Sequence, residues 1–302
     1  MVIRYLLLGG GGLSGFELLG IIQGLQWRGM ANDIQHVASI SIGTYFGAFF
    51  MMNTDSMLVQ QCLSQCLDPQ HLHISPFDIF RLPYKYHLIN IEHFMLPLVK
   101  TMQAKWPDVR DVRAMSLREF CARCNRSWSI ILTDLVNAKP VVASAAFMDV
   151  PVLELIHASM ALPLILKPVS IKGHFYVDGG LTCDNPWFAF ANGEHPPSDQ
   201  SLQVVIHSAT NSFKTPLKTI GHYLQSLTAC GMWHKSAFSI SCQADHVLVL
   251  ADSVMPLLPL RITKKGLWID ITPEKIESAH INGLDIFEKW WTKTTLSSLQ
   301  TP

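Results

Sequence analysis

Two glycine-rich segments and one aspartate carry the chemistry legible in this chain. Gly10, Gly11, Gly12, Leu13, Ser14 and Gly15 follow a short apolar run and precede Leu18, Ile21, Ile22 and Leu25, which recur at helical spacing. Backbone N–H groups in such a strand-to-helix turn point into the space at a helix N-terminus, where negative charge is stabilised, so an anion hole is expected there. Gly10, Gly12 and Gly15 also satisfy the dinucleotide pattern GxGxxG, which wants an acidic residue at the end of the second strand. Here that strand closes on Ser41, Ile42 and Gly43, and Asp33 precedes it. A nucleotide-binding protein therefore rests on the glycine loop alone.

The second segment is Gly43, Thr44, Tyr45, Phe46 and Gly47. Its two glycines have the separation of a G-x-S-x-G nucleophile elbow, in the same strand-to-helix context. The central residue is Tyr45 instead of serine. Ser39, Ser41 and Thr44 are nearby hydroxyls, but Ser39 and Ser41 fall inside the expected strand and Thr44 precedes the expected apex, so none is taken as a substitute. Further along, Tyr176, Val177 and Asp178 lead into Gly179 and Gly180. The aspartate has a base's chemistry in a catalytic reading and caps backbone N–H groups in a structural one.

The elements that must hold these residues are those of an α/β protein. Val2 to Leu8 reads as a strand buried on both faces, and Val37 to Ile42 as a second, each followed by apolar helical sequence. From about 56 to 125, helix-like stretches are broken by Pro76, Pro83, Pro97 and Pro107, which is the pattern of a helical insertion or cap. Ser129 to Leu135, Val141 to Phe147, His174 to Val177, Gln203 to Ile206 and Val247 to Leu250 read as further strands. Asn192 to Asp199 has loop composition. Thr272 and Pro273 open a final helix as cap and first residue.

Bulk properties narrow the classes. A chain of 302 residues, 49% hydrophobic, can bury a large core. Lysine plus arginine number 23 and aspartate plus glutamate 23, so no charge excess points to nucleic acid. Seven scattered cysteines, an odd number, are not a disulfide framework and favour a reducing compartment, for which the cytoplasm is the expectation. Cys121 and Cys124 have zinc-ligand spacing but no second pair, and His71 with His73 is only half a site, so no metal and no cofactor is implied. No segment reaches the roughly 18 apolar residues of a membrane-crossing helix, so the expectation is a soluble chain or one in peripheral membrane contact. The stretch from Ile74 to Leu98, with Phe77, Ile79, Phe80, Leu82 and Tyr84, is a candidate apolar cap for lipid.

Taken in order, the glycine loop, the GxYxG segment, Ala158 to Pro163 with Pro168 and Val169, and Asp178, Gly179, Gly180 with Asn185 and Pro186 resemble the patatin-like phospholipase family. The closing helix from Ile271 to Ile276 is similar too. The resemblance runs from residue 3 to about 290, with no family motif between 56 and 125. It implies one domain over 1–302 with a three-layer α/β/α sandwich and a mostly parallel sheet. It implies lipid acyl hydrolysis by a serine–aspartate dyad, with Gly10, Gly11 and Gly12 as oxyanion hole and Asp178 as base. Lipid or acyl ester is the implied ligand; no protein partner is implied.

Two positions depart from the family. Ser14 stands where arginine or lysine is common, and Tyr45 at the expected nucleophile position. The expectation is a weak or dead hydrolase, its Tyr45 ring plugging the crevice between the glycine loop and Asp178 and its hydroxyl bonded to that carboxylate. An active acyl hydrolase with an unidentified nucleophile is the alternative.

Overall fold

The computed structural model describes residues 1–67, 73–85, 87–183, 185–190, 195–206, 244–250, 260–263 and 266–300. His71, Cys230, Cys242 and the Asn192 end of the expected loop lie outside them. The main sheet runs in the order β6 (Val169–Ile171), β7 (His174–Asp178), β4 (Ser127–Asp134), β2 (His36–Ile40), β1 (Tyr5–Leu8), β8 (Ser201–Ile206), β9 (His246–Leu250), with β5 (Lys139–Ala143) also on β4. The five strands from β4 to β9 pair in parallel, whereas β7, β6 and β5 join antiparallel. Central strands such as Leu6, Leu7 and Leu8 are fully buried, as a parallel sheet covered on both faces requires.

Helices flank this sheet. On one face α1 (Leu18–Trp27), α2 (Ile42–Met51) and α7 (Val152–Met160) join α8 (Pro273–Gln300) around the main core, which includes Leu6, Leu8, Phe16, Phe46 and Phe287. On the other face Leu7 and Ala38 pack with Trp187 of the short 3-10 segment Pro186–Phe190. Period-two alternation along β1 thus feeds two separate clusters.

Between α2 and β4 the chain inserts α3 (Ser56–Cys66), α4 (Pro76–Lys85), α5 (Glu92–Lys105) and α6 (Leu117–Cys124). The sequence there carries helical periodicity but hides one strand, β3 (His73–Ile74), which pairs with β11 (Gly266–Ile269) in a small sheet completed by β10 (Leu260–Thr263). Two residues are too few for alternation to be read.

One detail of topology positions everything that follows. β2 lies on β4 over Ser127 to Ile131, and β7 lies on β4 over Leu132 to Asp134. Because β5 pairs with Ile130 to Asp134, it occupies the opposite edge of β4. β2 and β7 therefore share one edge and run towards each other. Ile40 is opposite Ile131 and Asp178 opposite Leu132, so the two carboxyl ends meet head-on at adjacent residues of β4.

Candidate active site

The sharp turn expected at residue 45 lies at Ser41. β2 ends at Ile40 and α2 starts at Ile42, leaving Ser41 alone to reverse the chain with φ 54° and ψ −129°. A non-glycine residue held there is strained by roughly 1–3 kcal/mol, and such strain persists only where surroundings over-determine it. The surroundings are visible. Ser41 N–H donates to Ser159 Oγ at 2.9 Å, and Ser159, on α7, donates to Ile131 O at 3.0 Å. Thr44 Oγ1 lies 2.9 Å from Ser159 Oγ and 3.1 Å from Ser39 Oγ, which also accepts the Trp128 indole N–H at 2.8 Å. These hydroxyls knit β2, β4, α2 and α7 beneath the turn.

Ser41 Oγ donates to Asp178 Oδ2 at 2.5 Å, and Asp178 Oδ1 accepts the Gly180 N–H at 2.8 Å. Asp178 is buried, and burial pushes its carboxyl up to about 6 against the opposing pull of the Ser41 and Gly180 hydrogen bonds. That value leaves the carboxylate ionised at neutral pH yet a far better proton acceptor than an exposed aspartate. The 3-10 turn Gly179–Leu181 begins on Asp178 as its cap, so the structural and the chemical readings of this aspartate are both satisfied by one residue.

The glycine loop faces the same serine. A Cβ on Gly10 would come within 3.1 Å of Ser41 Cβ, so the loop approaches closely only because the residue is glycine. Gly11 and Gly12 follow at the start of the 3-10 segment Gly12–Glu17, with Gly12 at φ 52°. Gly10, Gly11 and Gly12 thus sit at the carboxyl end of β1, beside the carboxyl end of β2. The N-terminus of α2 opens on Ser41 as well, and its unsatisfied N–H groups favour negative charge at that point.

Tyr45 is not in this crevice. It lies in α2, one turn beyond Ser41, fully buried, with its ring edge-on to Phe46 and Phe49, each at 5.3 Å between centroids. Its hydroxyl donates to Phe94 O on α5 at 2.7 Å, and burial, followed by the Cys62 and Cys66 thiols, raises its pKa well above that of an ordinary phenol. The expected plug and the expected bond to Asp178 are both overturned: Tyr45 is a core residue fastening the inserted helix α5 to α2. The glycines that suggested an elbow have other causes. A Cβ on Gly43 would lie 2.6 Å from the carbonyl oxygens of Leu8 and Gly9, so glycine is needed for α2 to abut β1, whereas at Gly47 a Cβ would make only ordinary contacts.

A narrow cleft leads to Ser41 and Asp178. Apart from these two and Gly12, its walls are apolar: Leu13, Ile42, Ile89, Phe94, Met160, Leu162, Ile165, Leu166 and Ile269. Ile89 and Phe94 come from the insertion, and Leu162, Ile165 and Leu166 from the loop after α7, so the cap and the body close on one hydrophobic channel. Ser41 was legible only as a strand residue. The signal that would have found it is Ser39, Ile40, Ser41, Ile42, Gly43, an elbow whose first glycine is replaced by serine and whose second remains. Ser159 was named only as part of a motif, without a role.

Comparison with known proteins bears on the fold and the family. VipD of Legionella pneumophila is similar in structure, with a TM-score of 0.55 and 15% identity over 97% of this chain and 67% of that one. ExoU, in its complex with SpcU from the type III secretion system of Pseudomonas aeruginosa, has a TM-score of 0.42 and 16% identity over 95% of this chain and 52% of its own. Human GIVD cytosolic phospholipase A2 has a TM-score of 0.46 and 13% identity over 99% of this chain and 59% of its own. This chain spans about half to two thirds of the length of these proteins, and at such identities the likeness concerns the fold. No curated protein matches the chain by sequence. The family model described as patatin-like phospholipase matches residues 6–191, more than half of the chain and including the glycine loop, Ser41 and Asp178. The chain belongs to the patatin-like phospholipase family.

Proposed function

We propose that the chain is an active lipid acyl hydrolase of the phospholipase A type, with Ser41 as nucleophile, Asp178 as general base and the loop of Gly10, Gly11 and Gly12 as oxyanion hole. The observation that carries the proposal is the 2.5 Å hydrogen bond from Ser41 Oγ, at a strained turn, to the buried carboxylate of Asp178. It replaces the expectation of a dead enzyme, which depended on Tyr45 standing at the elbow.

The chemistry follows from the geometry. Ser41 Oγ attacks the ester carbonyl while its proton passes to Asp178 Oδ2, along the hydrogen bond already made. The carbonyl oxygen becomes an anion, stabilised by the glycine-loop N–H groups and the α2 N-terminus. Collapse breaks the bond to the alcohol, which leaves with the proton from Asp178. Water then attacks the acyl-serine, giving its proton to Asp178, and the fatty acid departs as Ser41 is restored. No histidine is required, because Asp178 contacts the serine directly. The apolar walls supply binding for an acyl chain and exclude water from the dyad. A nucleotide would have to occupy the front of the glycine loop, where Ser41 stands instead.

The test is hydrolysis of a medium-chain p-nitrophenyl ester and of a phosphatidylcholine by the chain and by Ser41→Ala. Removing a serine nucleophile costs on the order of a million-fold in turnover. Covalent labelling by a fluorophosphonate in the wild-type chain and none in Ser41→Ala is the expected companion result. Equal labelling or equal activity in both would refute the assignment.

A further inference from the structure

Helix α4 carries an exposed aromatic face that neither the core nor the dyad uses. Phe77, Phe80 and Tyr84 are 57%, 76% and 81% exposed, far beyond what an aromatic side chain of a packed helix shows. At about 100° per residue they fall within an arc of about 60°, bordered on one side by Arg81 and Lys85. The guanidinium of Arg81 lies over the Phe77 ring at 4.0 Å, and Lys85 reaches Asp78 at 4.0 Å. Aromatic rings beside cations with apolar stems are the composition of a helix lying in the plane of a lipid surface.

This face is joined to the candidate site. Shortly after α4 ends, Leu88 N–H and Ile89 N–H both donate to Ile165 O, at 3.1 and 2.9 Å, and Ile89 and Ile165 are walls of the cleft to Ser41. Leu164, beside them, is 40% exposed. The chain thus passes from the end of α4 at Lys85 into the wall of the acyl channel at Ile89 within four residues.

We infer that α4 docks the protein on a lipid surface bearing anionic headgroups, with Phe77, Phe80 and Tyr84 at the headgroup boundary and Arg81 and Lys85 against the phosphates. The inference rests on the proposed lipid hydrolysis for its purpose but not for its test. Two things select lipid over a second copy of the chain. Arg81 and Lys85 on the border complement anionic headgroups and would repel the same border of a second copy, and the helix leads within four residues into the wall of an apolar channel fit for acyl chains.

The experiment is flotation with vesicles of phosphatidylcholine alone and with added phosphatidylserine, using Ser41→Ala so that hydrolysis plays no part. Binding is expected to both, stronger with phosphatidylserine. Phe77→Ser, Phe80→Ser and Tyr84→Ser combined should weaken it by about tenfold or more, and Arg81→Gln with Lys85→Gln should remove the phosphatidylserine preference. In the serine-41 chain the triple variant should lose hydrolysis of vesicle lipid while keeping that of a soluble short-chain ester, which also reports that it is folded. Vesicle binding unchanged in the triple variant, or a dimer in solution that the triple variant converts to monomer without any vesicle effect, would overturn the inference. Absence of all ester hydrolysis with binding intact would instead count against the function and leave the docking surface standing.

Discussion

Ser41 Oγ meets Asp178 Oδ2 at 2.5 Å because β2 and β7 end head-on along one edge of β4, at Ile131 and Leu132. The dyad is thus a property of strand pairing: Asp178 is the last residue of β7, Ser41 is the first beyond β2, and β4 sets their separation. Any change that alters the β4 register moves both.

Activity should depend on the ionised form of Asp178. Its carboxyl sits at about 6 in the folded chain, so kcat/KM for a soluble ester should be half-maximal near pH 6 and fall about tenfold per unit below it. A rate profile flat from pH 7 to 5 would exclude Asp178 as the base.

The same shift has the opposite consequence for stability. The folded value of about 6 lies above the ordinary 3.8, so burying the charged form costs stability above pH 6, and the cost fades as pH falls through 6 towards 4. Asp178→Asn keeps an acceptor for the Gly180 N–H and removes the charge. It should abolish hydrolysis yet stabilise the fold by up to roughly 3 kcal/mol at pH 8, a gain that disappears near pH 4, as denaturant titration at the two pH values would show.

Tyr45→Ser should not create or improve an esterase. It empties a fully buried site and removes the Tyr45 hydroxyl from Phe94 O, so a loss of roughly 3–5 kcal/mol is expected by analogy with large-to-small aromatic changes. Tyr45→Phe isolates the hydrogen bond and should cost about 1–2 kcal/mol. Higher activity in Tyr45→Ser at full stability would restore residue 45 as the elbow.

Ser159 is a positioning residue: it accepts the Ser41 N–H at 2.9 Å and donates to Ile131 O at 3.0 Å. Ser159→Ala leaves both groups buried without that partner, so roughly 1–3 kcal/mol of stability should be lost. The strained turn should relax, lowering kcat while KM for a soluble ester stays unchanged. A rise in KM at constant kcat would show that Ser159 shapes the cleft instead of the turn.

By itself the sequence determined the layered α/β fold, the glycine loop at the end of β1 and the aspartate at the end of β7. Each is a local signal: an apolar run, a run of glycines whose backbone the turn demands, an aspartate capping its own 3-10 turn. The nucleophile was decided only in three dimensions. Ser41 reads as a strand residue because Val37 to Ile42 is apolar and alternates poorly, and the first elbow glycine is Ser39. Gly43 and Gly47 suggested a turn four residues too late, although Gly43 is glycine because α2 abuts Leu8 and Gly9. The dyad joins Ser41 to Asp178 across 137 residues through pairings with β4 that no local pattern encodes. Tyr45, which sequence spacing placed at the centre of the chemistry, was assigned by tertiary packing to the core, where its hydroxyl holds Phe94 in the wall of the cleft.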